Sequence, residues 1–520
     1  AQERGLTVDA PGYSQLMEAA RQRSREGAGT QRDIHLPPEA ITQLKYGSIK
    51  ASEDLDKFHG RPVTATVRAI WNGRDFDEIL EDSECGSEFG IITDRTSFYS
   101  ESGGQVGDTG SLRDNDSDHS EFEVTDTQAF GGYVLHVGKI VRGRISVGES
   151  MQMAIDHDRR ELIKANHTTT HLLNHALREV LGEEIQQKGS LVAADRLRFD
   201  FSFSHAMSVA QIDEVQRLVN EGIEKSMAVH ALVVPLDAAQ KVFGVRAVFG
   251  ERYPDPVRVV SIGVPVEQLI ADPDNKDWIQ HSVEFCGGTH LDHTKAAGQF
   301  VIVHEQSPAS GVRRITALTG PAALAAQEAA RELESRFIRA AQDDDEALIR
   351  QFDELVPLID ELTIGVAVRH KLQTELVEPM RERVRTLRKK TLRMARDTIV
   401  DQARQLIEHE KGPIIVHHFA GADQETLRSA LDAIRARLPE SAAMLFSTDQ
   451  TDSKVTIVAA VPKALIDKGL KAGDWVREAA RICGGGGGGR PDMAQAGGKL
   501  PDKVPDAINA ARDMACRAIE

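Results

Sequence analysis

The chain has few cysteines and no long apolar run. Its four cysteines, Cys85, Cys286, Cys483 and Cys516, lie far apart in 520 residues, so they form no disulfide framework and fit a reducing compartment. No stretch approaches the roughly 18 uninterrupted apolar residues of a membrane span. The first residues, AQERGLTVDA, lack the basic start and apolar stretch of a secretion signal. These absences predict a soluble, cytoplasmic protein that does not contact membranes.

An excess of basic residues is also missing. The chain has 63 lysines and arginines against 80 aspartates and glutamates, which gives a net charge of −17. This balance excludes a surface coated in positive charge, although a local basic stripe can still bind a polyanion. The densest basic run, RERVRTLRKKTLRMAR at 381–396, predicts either a solvated helix face or a set of phosphate contacts.

The length predicts several domains, because a single hydrophobic core stops growing near roughly 250 to 300 residues. Helical and strand patterns follow one another and predict an α+β multidomain fold with five parts. These parts are a short helical region at 1–45, an antiparallel β-barrel at 46–150, an α+β domain at 151–325, an extended helical, coiled-coil-like arm at 326–410 and a small α/β domain at 411–520.

Two pairs of potential metal ligands lie in the α+β part. The segment NHTTTHLLNHAL places His167 and His171 four residues apart, on one face of a predicted helix. The segment FCGGTHLDH places Cys286 and His290 four residues apart around a Gly-Gly turn. Thiolate and imidazole are ligands that zinc favours, so the two pairs predict one zinc site.

Other interpretations of these pairs compete with a catalytic zinc. The histidines alone are typical of a helix surface, and Cys286 alone is typical of a small buried side chain. A peptidase of the HExxH type is excluded because Thr168 takes the place of its glutamate base. A closed structural zinc uses four protein ligands, whereas a catalytic one leaves a position open. The spacing leaves open whether all four residues bind at once.

The motifs around these pairs resemble the editing half of alanyl-tRNA synthetases, whose hallmark is HxxxH followed by CxxxH. A further segment resembles the tail domain that these synthetases share with some phosphoesterases. The matching segments are SFYSESGGQVGDTG at 97–110, NHTTTHLLNHALREVLG at 166–182, QKGSLV at 187–192, RLRFDF at 196–201, GVRRI at 311–315 and, for the tail, GGGGGGRPDMAQAGG at 484–498.

The resemblance implies hydrolytic editing of Ser-tRNA(Ala) and Gly-tRNA(Ala), with one Zn²⁺ per chain held by His167, His171, Cys286 and His290. The segment at 5–27 resembles the end of the family's helical tRNA-recognition region. Because only about 45 residues precede the barrel, we expect no class II aminoacylation core and no ATP use. The alternative function is a non-catalytic tRNA-binding or dimerisation module with a structural zinc.

The resemblance also implies roles for residues around the metal. Thr170 is expected to read the serine hydroxyl, since a site that hydrogen-bonds a hydroxyl rejects analogues lacking it. Gln187 is expected to line the pocket or orient water, with a solvated loop residue as the alternative. The loop with Gly103, Gly104 and Gln105 is given a supporting role, because a GGQ tripeptide is a weak signal for release-factor chemistry and the glycines can simply make a tight turn.

Predicted tRNA contacts lie in two regions. Arg198, Arg313 and Arg314 are expected to contact the acceptor end, although Arg198 can instead pair with Asp200. In the tail, Gly488, Gly489 and Arg490 are expected to present bare backbone N–H groups to the outer corner of the tRNA. A flexible linker is the alternative for this glycine run. A homodimer through the arm and the C-terminal domain is also expected.

Overall fold

The computed structural model describes residues 34–81, 86–114, 119–248, 252–410, 412–449 and 453–520. Cys85 and most of the helical region predicted at 1–45 therefore lie outside the described residues. The chain forms two compact units, Ala1–Ala340 with Asp353–Val377 and Ala341–Phe352 with Glu378–Glu520. The mixed α/β, multidomain architecture is confirmed, whereas the five domain boundaries stay a prediction.

A closed antiparallel barrel follows helix α1 (Pro38–Tyr46) and a 3-10 turn (Leu55–Phe58) in the first unit. Six strands close it, because β1 pairs with both β4 and β9 and the order continues through β7, β6 and β5. Alternating side chains such as Val67, Leu112 and Phe122 fill its interior, as a small barrel requires. The predicted barrel is confirmed. The strands are β1 (Val63–Trp71), β2 (Phe76–Asp77), β3 (Ile79–Glu81), β4 (Phe89–Thr93), β5 (Gly110–Asp114), β6 (Glu121–Phe130), β7 (Tyr133–Arg142), β8 (Arg144–Ser146) and β9 (Ser150–Ile155).

Two long helices pack against a four-stranded sheet after the barrel. Helix α2 (His157–Leu181) begins after Asp156, whose carboxylate accepts a hydrogen bond from the backbone N–H of Arg159 at 3.0 Å. Helix α3 (Val209–Glu224) starts with a capping box. Leucines of α2 pack on phenylalanines of the sheet. The sheet has the order β10, β11, β16, β15, with β10 (Gln187–Val192), β11 (Leu197–Ser202), β15 (Phe300–Ala309) and β16 (Val312–Thr319).

A smaller three-stranded sheet completes this α+β region. Its last strand, β14, ends directly before Cys286, so the sheet carries the second ligand pair to its place. The elements are β12 (Val229–Val234), α4 (Leu236–Lys241), β13 (Val257–Ile262), α5 (Val266–Ala271), a 3-10 turn (Lys276–Gln280), β14 (Val283–Phe285) and a second 3-10 turn (Thr294–Ala297).

The nearly continuous helical arm expected at 326–410 is interrupted. At the break over 341–344, the carboxylate of Asp344 accepts hydrogen bonds from the backbone N–H groups of Glu346 at 3.1 Å and Ala347 at 2.9 Å, which starts a new helix. A second break ends at Gly365, which precedes the next helix. The helices are α6 (Gly320–Ala340), α7 (Asp345–Glu361), α8 (Val366–Lys371), a π-helical segment (Leu372–Val377) and α9 (Glu378–His409).

The C-terminal part of the second unit is a five-stranded sheet with helices, in the order β17, β18, β19, β21, β20. Only β17 and β18 are parallel to each other. Trp475 is fully buried between helices and donates its indole N–H to the carbonyl of Ala511 at 2.8 Å. The elements are β17 (Ile414–His418), α10 (Gln424–Arg437), β18 (Ala442–Asp449), β19 (Lys454–Ala460), α11 (Lys463–Ile466), α12 (Ala472–Ile482), β20 (Gly486–Gly489), β21 (Met493–Gly498), a 3-10 turn (Pro501–Lys503) and α13 (Val504–Ile519).

None of the described helices is both long enough and apolar enough to span a lipid bilayer.

Candidate metal centre

Helix α2 and the turn after β14 bring four potential metal ligands together. The ligand atoms of His167, His171, Cys286 and His290 all lie within 4.8 Å of one another. The Cys286 Sγ atom is 3.4 Å from His167 Nε2 and 3.3 Å from His290 Nε2. A tetrahedral zinc with bonds of about 2.1 to 2.3 Å would set its nitrogen and sulfur ligands roughly 3.6 Å apart. The four residues can therefore hold a metal ion.

The burial of the cluster also fits a metal. His167 and His171 are buried in the helix face, whereas Cys286 and His290 are only partly buried. Neither ring nitrogen of His171 has a hydrogen-bond partner among the described residues. A buried polar atom without a partner is costly, and a bound ion would satisfy it. Cys286 and His290 are the less buried residues of the four.

Each histidine of the cluster has its Nδ1 atom near a side-chain oxygen. The His171 nitrogen is not aligned for a hydrogen bond, so its approach is an electrostatic contact. Partners of this kind set the orientation of metal-binding imidazoles. The pairs are His167 Nδ1 with Gln105 Oε1 at 2.7 Å, His171 Nδ1 with Glu284 Oε2 at 3.0 Å and His290 Nδ1 with Thr168 Oγ1 at 3.5 Å.

Glu284 is a residue that the sequence interpretation missed. It accepts a hydrogen bond from Asn174 at 2.9 Å through its other oxygen, which holds the carboxylate against His171. The sequence did contain a signal for Glu284: alternate residues of a strand share a face, and Glu284 lies two residues before Cys286.

Thr168, which replaces the glutamate of a peptidase motif, lies near His290 and also accepts a hydrogen bond from the backbone N–H of Leu291 at 3.0 Å.

Arg258 shapes the turn that carries Cys286. Its guanidinium donates hydrogen bonds to the carbonyl groups of Cys286 and Gly288, both at 2.9 Å. The guanidinium carbon also lies 4.3 Å from the centre of the Phe58 ring. Arg258 therefore stabilises the turn, although the sequence analysis did not include this residue.

The charges in the cluster favour the metal-binding forms of Cys286 and His290, but not that of His171. Burial acts to raise the pKa of the Cys286 thiol, but the His167, His290 and His171 rings outweigh it and hold this pKa well below its usual range. Burial lowers the pKa of His290 to about 3. Burial also acts to lower the pKa of His171, but Glu284 and Cys286 together raise it to about 10. A thiolate and neutral imidazoles are the forms that coordinate a metal, so His171 has to release a proton when it binds one.

The predicted pocket residues lie near this helix and the adjacent sheet. Thr170 is buried, and its hydroxyl donates a hydrogen bond to the carbonyl of Asn166 at 2.8 Å. Gln187 is the first residue of β10, is partly buried and lies opposite Phe201 in the strand pair. Their roles stay predictions. By contrast, Gln105 is fully buried in the centre itself, beside His167.

The arginines predicted to contact tRNA lie on the four-stranded sheet, and two of them are in ion pairs. Arg314 donates two hydrogen bonds of 2.6 Å to Asp200, and Arg313 donates one of 2.5 Å to Glu305. Among the described ion pairs, Asp200 is paired with Arg314 of the neighbouring strand and not with Arg198, the alternative partner. Contact of these three arginines with tRNA stays a prediction.

The glycine run of the tail is not a flexible linker. Strand β20, which contains Gly488 and Gly489, lies at the edge of the five-stranded sheet and pairs with β21. A Cβ atom at Gly489 would lie 2.6 Å from Ala494 Cα, so glycine permits this close pairing. Arg490 follows, is exposed and forms an ion pair with Asp492 at 3.2 Å. Contact of this edge with tRNA stays a prediction.

Three family models match separate parts of the chain. The model "tRNA synthetases class II (A)" matches residues 1–159, "Threonyl and Alanyl tRNA synthetase second additional domain" matches 257–316, and "DHHA1 domain" matches 411–515. The second match contains Cys286 and His290. Because the first match reaches through the barrel, the expected lack of a class II core is not confirmed.

Whole-chain relatives are alanine–tRNA ligases. The cytoplasmic enzyme of Dictyostelium discoideum is 38% identical over 527 residues, which is 99% of this chain and 55% of the relative. The cytoplasmic enzyme of Bombyx mori is 38% identical over 540 residues, again 99% of this chain and 55% of the relative. The chain thus spans about half the length of these curated relatives.

One similar solved structure is the C-Ala domain of Aquifex aeolicus alanyl-tRNA synthetase. It is 32% identical and covers 20% of this chain and 89% of that domain, with a TM-score of 0.18. From the family matches and the whole-chain relatives, we conclude that the chain belongs to the alanyl-tRNA synthetase family and contains the editing-associated second additional domain and a DHHA1 domain.

Proposed function

We propose that the chain hydrolyses the ester bond of mischarged Ser-tRNA(Ala) and Gly-tRNA(Ala) at a zinc centre formed by His167, His171, Cys286 and His290. The observation that carries this proposal is the convergence of three imidazoles and one thiol within a family that has an editing-associated domain. Family membership supplies the substrate class, and the four ligands supply the metal site.

The donor set supports zinc in particular, because structural and catalytic zinc sites are built from cysteine and histidine. When bound, zinc would polarise the ester carbonyl or lower the pKa of a water molecule toward about 7. The protein's own contribution is orientation. Gln105, Glu284 and Thr168 hold the three imidazoles, and Arg258 holds the turn that presents the thiolate.

Selectivity for serine is proposed to reside in Thr170 and Gln187. Since the Thr170 hydroxyl donates its proton to Asn166, its oxygen is left to accept a hydrogen bond from the serine hydroxyl. A pocket that pairs with this hydroxyl rejects the alanyl ester, whose side chain lacks it, by several orders of magnitude. Glycine offers no hydroxyl, so its removal depends on contacts other than this one.

The tRNA is proposed to bind at two places on the chain. We propose that Arg198, Arg313 and Arg314 contact the acceptor end and that the edge strand with Gly488, Gly489 and Arg490 contacts the outer corner of tRNA(Ala). The proposed activities of this chain are ester hydrolysis and tRNA binding. Aminoacylation is not among them. A homodimer and a cytoplasmic location are also proposed; the relatives named above are cytoplasmic, and a Saccharomyces cerevisiae relative is named mitochondrial.

A second candidate function is a tRNA-binding module with a structural zinc. The observation in its favour is that all four ligand atoms lie close enough to bind one ion at once, as in closed structural sites. This candidate predicts tRNA binding without hydrolysis.

The deciding experiment measures deacylation of Ser-tRNA(Ala) and Gly-tRNA(Ala) by the purified chain, before and after zinc chelation. Cys286→Ala and His167→Ala are expected to abolish deacylation, whereas Cys516→Ala, which changes an exposed cysteine of the other unit, is expected to leave the rate unchanged. Undiminished rates in folded Cys286→Ala protein would overturn the proposal. Tight tRNA binding with no hydrolysis by the zinc-loaded chain would favour the second candidate.

A further inference from the structure

We propose that Gln105, a residue of the barrel, is the positioning residue that selects the metal-binding tautomer of His167. The barrel domain then contributes a side chain that orients a metal ligand. This inference rests on the proposed metal site, but its test measures metal affinity and ring protonation and needs no tRNA.

The orientation of the Gln105 amide follows from a backbone group. The backbone N–H of Thr289 can only donate, so the amide atom 2.9 Å from it must be the oxygen. The amide nitrogen correspondingly donates to the Thr289 hydroxyl at 2.9 Å. The amide of Gln105 therefore has one orientation that satisfies all its neighbours.

The same amide oxygen decides which nitrogen of His167 carries the proton. It lies 2.7 Å from His167 Nδ1 and can only accept, so Nδ1 is the protonated nitrogen. The other nitrogen, Nε2, then keeps its lone pair and faces the Cys286 sulfur at 3.4 Å. This is the tautomer in which His167 and Cys286 can bind one ion.

The backbone around Gln105 fixes the loop against the α+β region. The loop forms two backbone hydrogen bonds with Val192 of strand β10. Val192 N–H donates to Gly104 O at 2.7 Å, and Val106 N–H donates to Val192 O at 3.1 Å. Gly104 has a φ of 87°, and a Cβ atom there would lie 2.5 Å from Ser190 O. The glycines therefore make the tight turn that lets the Gln105 side chain enter the protein interior.

The burial of Gln105 separates its role from direct contact with substrate. The residue is 0% exposed, and its amide oxygen and nitrogen are both engaged by His167 and Thr289. Loss of such a partner of a metal-binding histidine typically weakens metal affinity about 10- to 100-fold. Gln105 thus acts on the reaction through His167 and not on the ester.

The test is the zinc affinity of the full chain, measured by competition with a chromogenic zinc chelator. Gln105→Ala is expected to weaken zinc binding about 10- to 100-fold. Gln105→Glu is expected to stay near the wild-type affinity, because a carboxylate oxygen accepts from the same two N–H groups. The matched control is Gln186→Ala, which removes an exposed glutamine side chain. Thermal melting with zinc present confirms that each variant is folded.

Two kinds of measurement can overturn the proposal. One is wild-type zinc affinity in folded Gln105→Ala protein, or a loss in Gln105→Glu as large as in Gln105→Ala. The other needs no variant: histidine ¹⁵N spectra of the wild-type chain are expected to show His167 protonated at Nδ1, and protonation at Nε2 would contradict the inference. A chain that binds zinc as expected but fails to deacylate tRNA would refute the proposed function alone.

Discussion

Gly288 packs directly against the ring of His167, with no room for a side chain between them. A Cβ atom built at Gly288 overlaps Cε1 and Nδ1 of that ring and lies 2.8 Å from Gln105 Oε1. A Cβ atom at Gly287 has nothing within 4 Å. The two glycines between Cys286 and His290 thus differ, because packing requires only one of them.

Gly288→Ala is therefore expected to displace His167 or the turn and to lower the zinc content of the purified chain well below one ion. Gly287→Ala is the matched control and is expected to keep full zinc content. Metal analysis of both proteins checks this, and equal zinc content in the two variants would contradict the packing argument.

Glu284→Gln is expected to weaken zinc binding about 10-fold or more, because an uncharged amide replaces the carboxylate that faces His171. Glu267→Gln changes an exposed glutamate on helix α5 and serves as the control. Chelator competition measures both affinities. A Glu284→Gln affinity equal to that of the control would show that this carboxylate does not support the ligand.

The buried ion pair between Asp108 and Arg160 is expected to dominate the stability of the junction between the barrel and helix α2. Asp108 is 1% exposed and accepts from Arg160 Nε at 2.8 Å. Asp108→Ala leaves a buried guanidinium unpaired and should lower the free energy of unfolding by about 3 to 5 kcal/mol. Arg68→Ala, which breaks an exposed pair with Asp94, should cost at most about 1 kcal/mol. Urea unfolding compares the two, and similar losses would contradict the prediction.

His136 is expected to make the barrel sensitive to acid. Burial lowers the pKa of His136 to about 4, whereas an unfolded histidine has a pKa near about 6.5. Between these values the unfolded chain binds the extra proton, so this contribution to stability is complete above pH about 6.5 and falls by up to about 3 kcal/mol as the pH reaches about 4.

A variant without this ring isolates the effect. His136→Gln is expected to lose stability less steeply than the wild type over the same pH range. Urea unfolding at several pH values measures both slopes, and parallel slopes would show that His136 does not cause the acid sensitivity.

Local sequence pattern predicted the elements that depend on short-range geometry. Helix period placed His167 and His171 on one face, and strand alternation in residues 63–67 predicted the barrel. Local pattern did not predict the break at 341–344 in the helical segment, where a side-chain hydrogen bond competes with continuation of the helix. The carboxylate of Asp344 starts a new helix inside a segment whose composition favours a continuous one.

Sequence by itself determined the four candidate ligands and, through resemblance to a family, the proposed chemistry. Tertiary structure alone decided what surrounds them. Gln105 contacts His167, which lies 62 residues later in the chain. Glu284 of strand β14 contacts His171 of helix α2. The glycine run became a strand because β21 lies beside it, although glycine has little tendency to form strands. Such contacts arise from packing between distant segments, which local propensity and spacing do not encode.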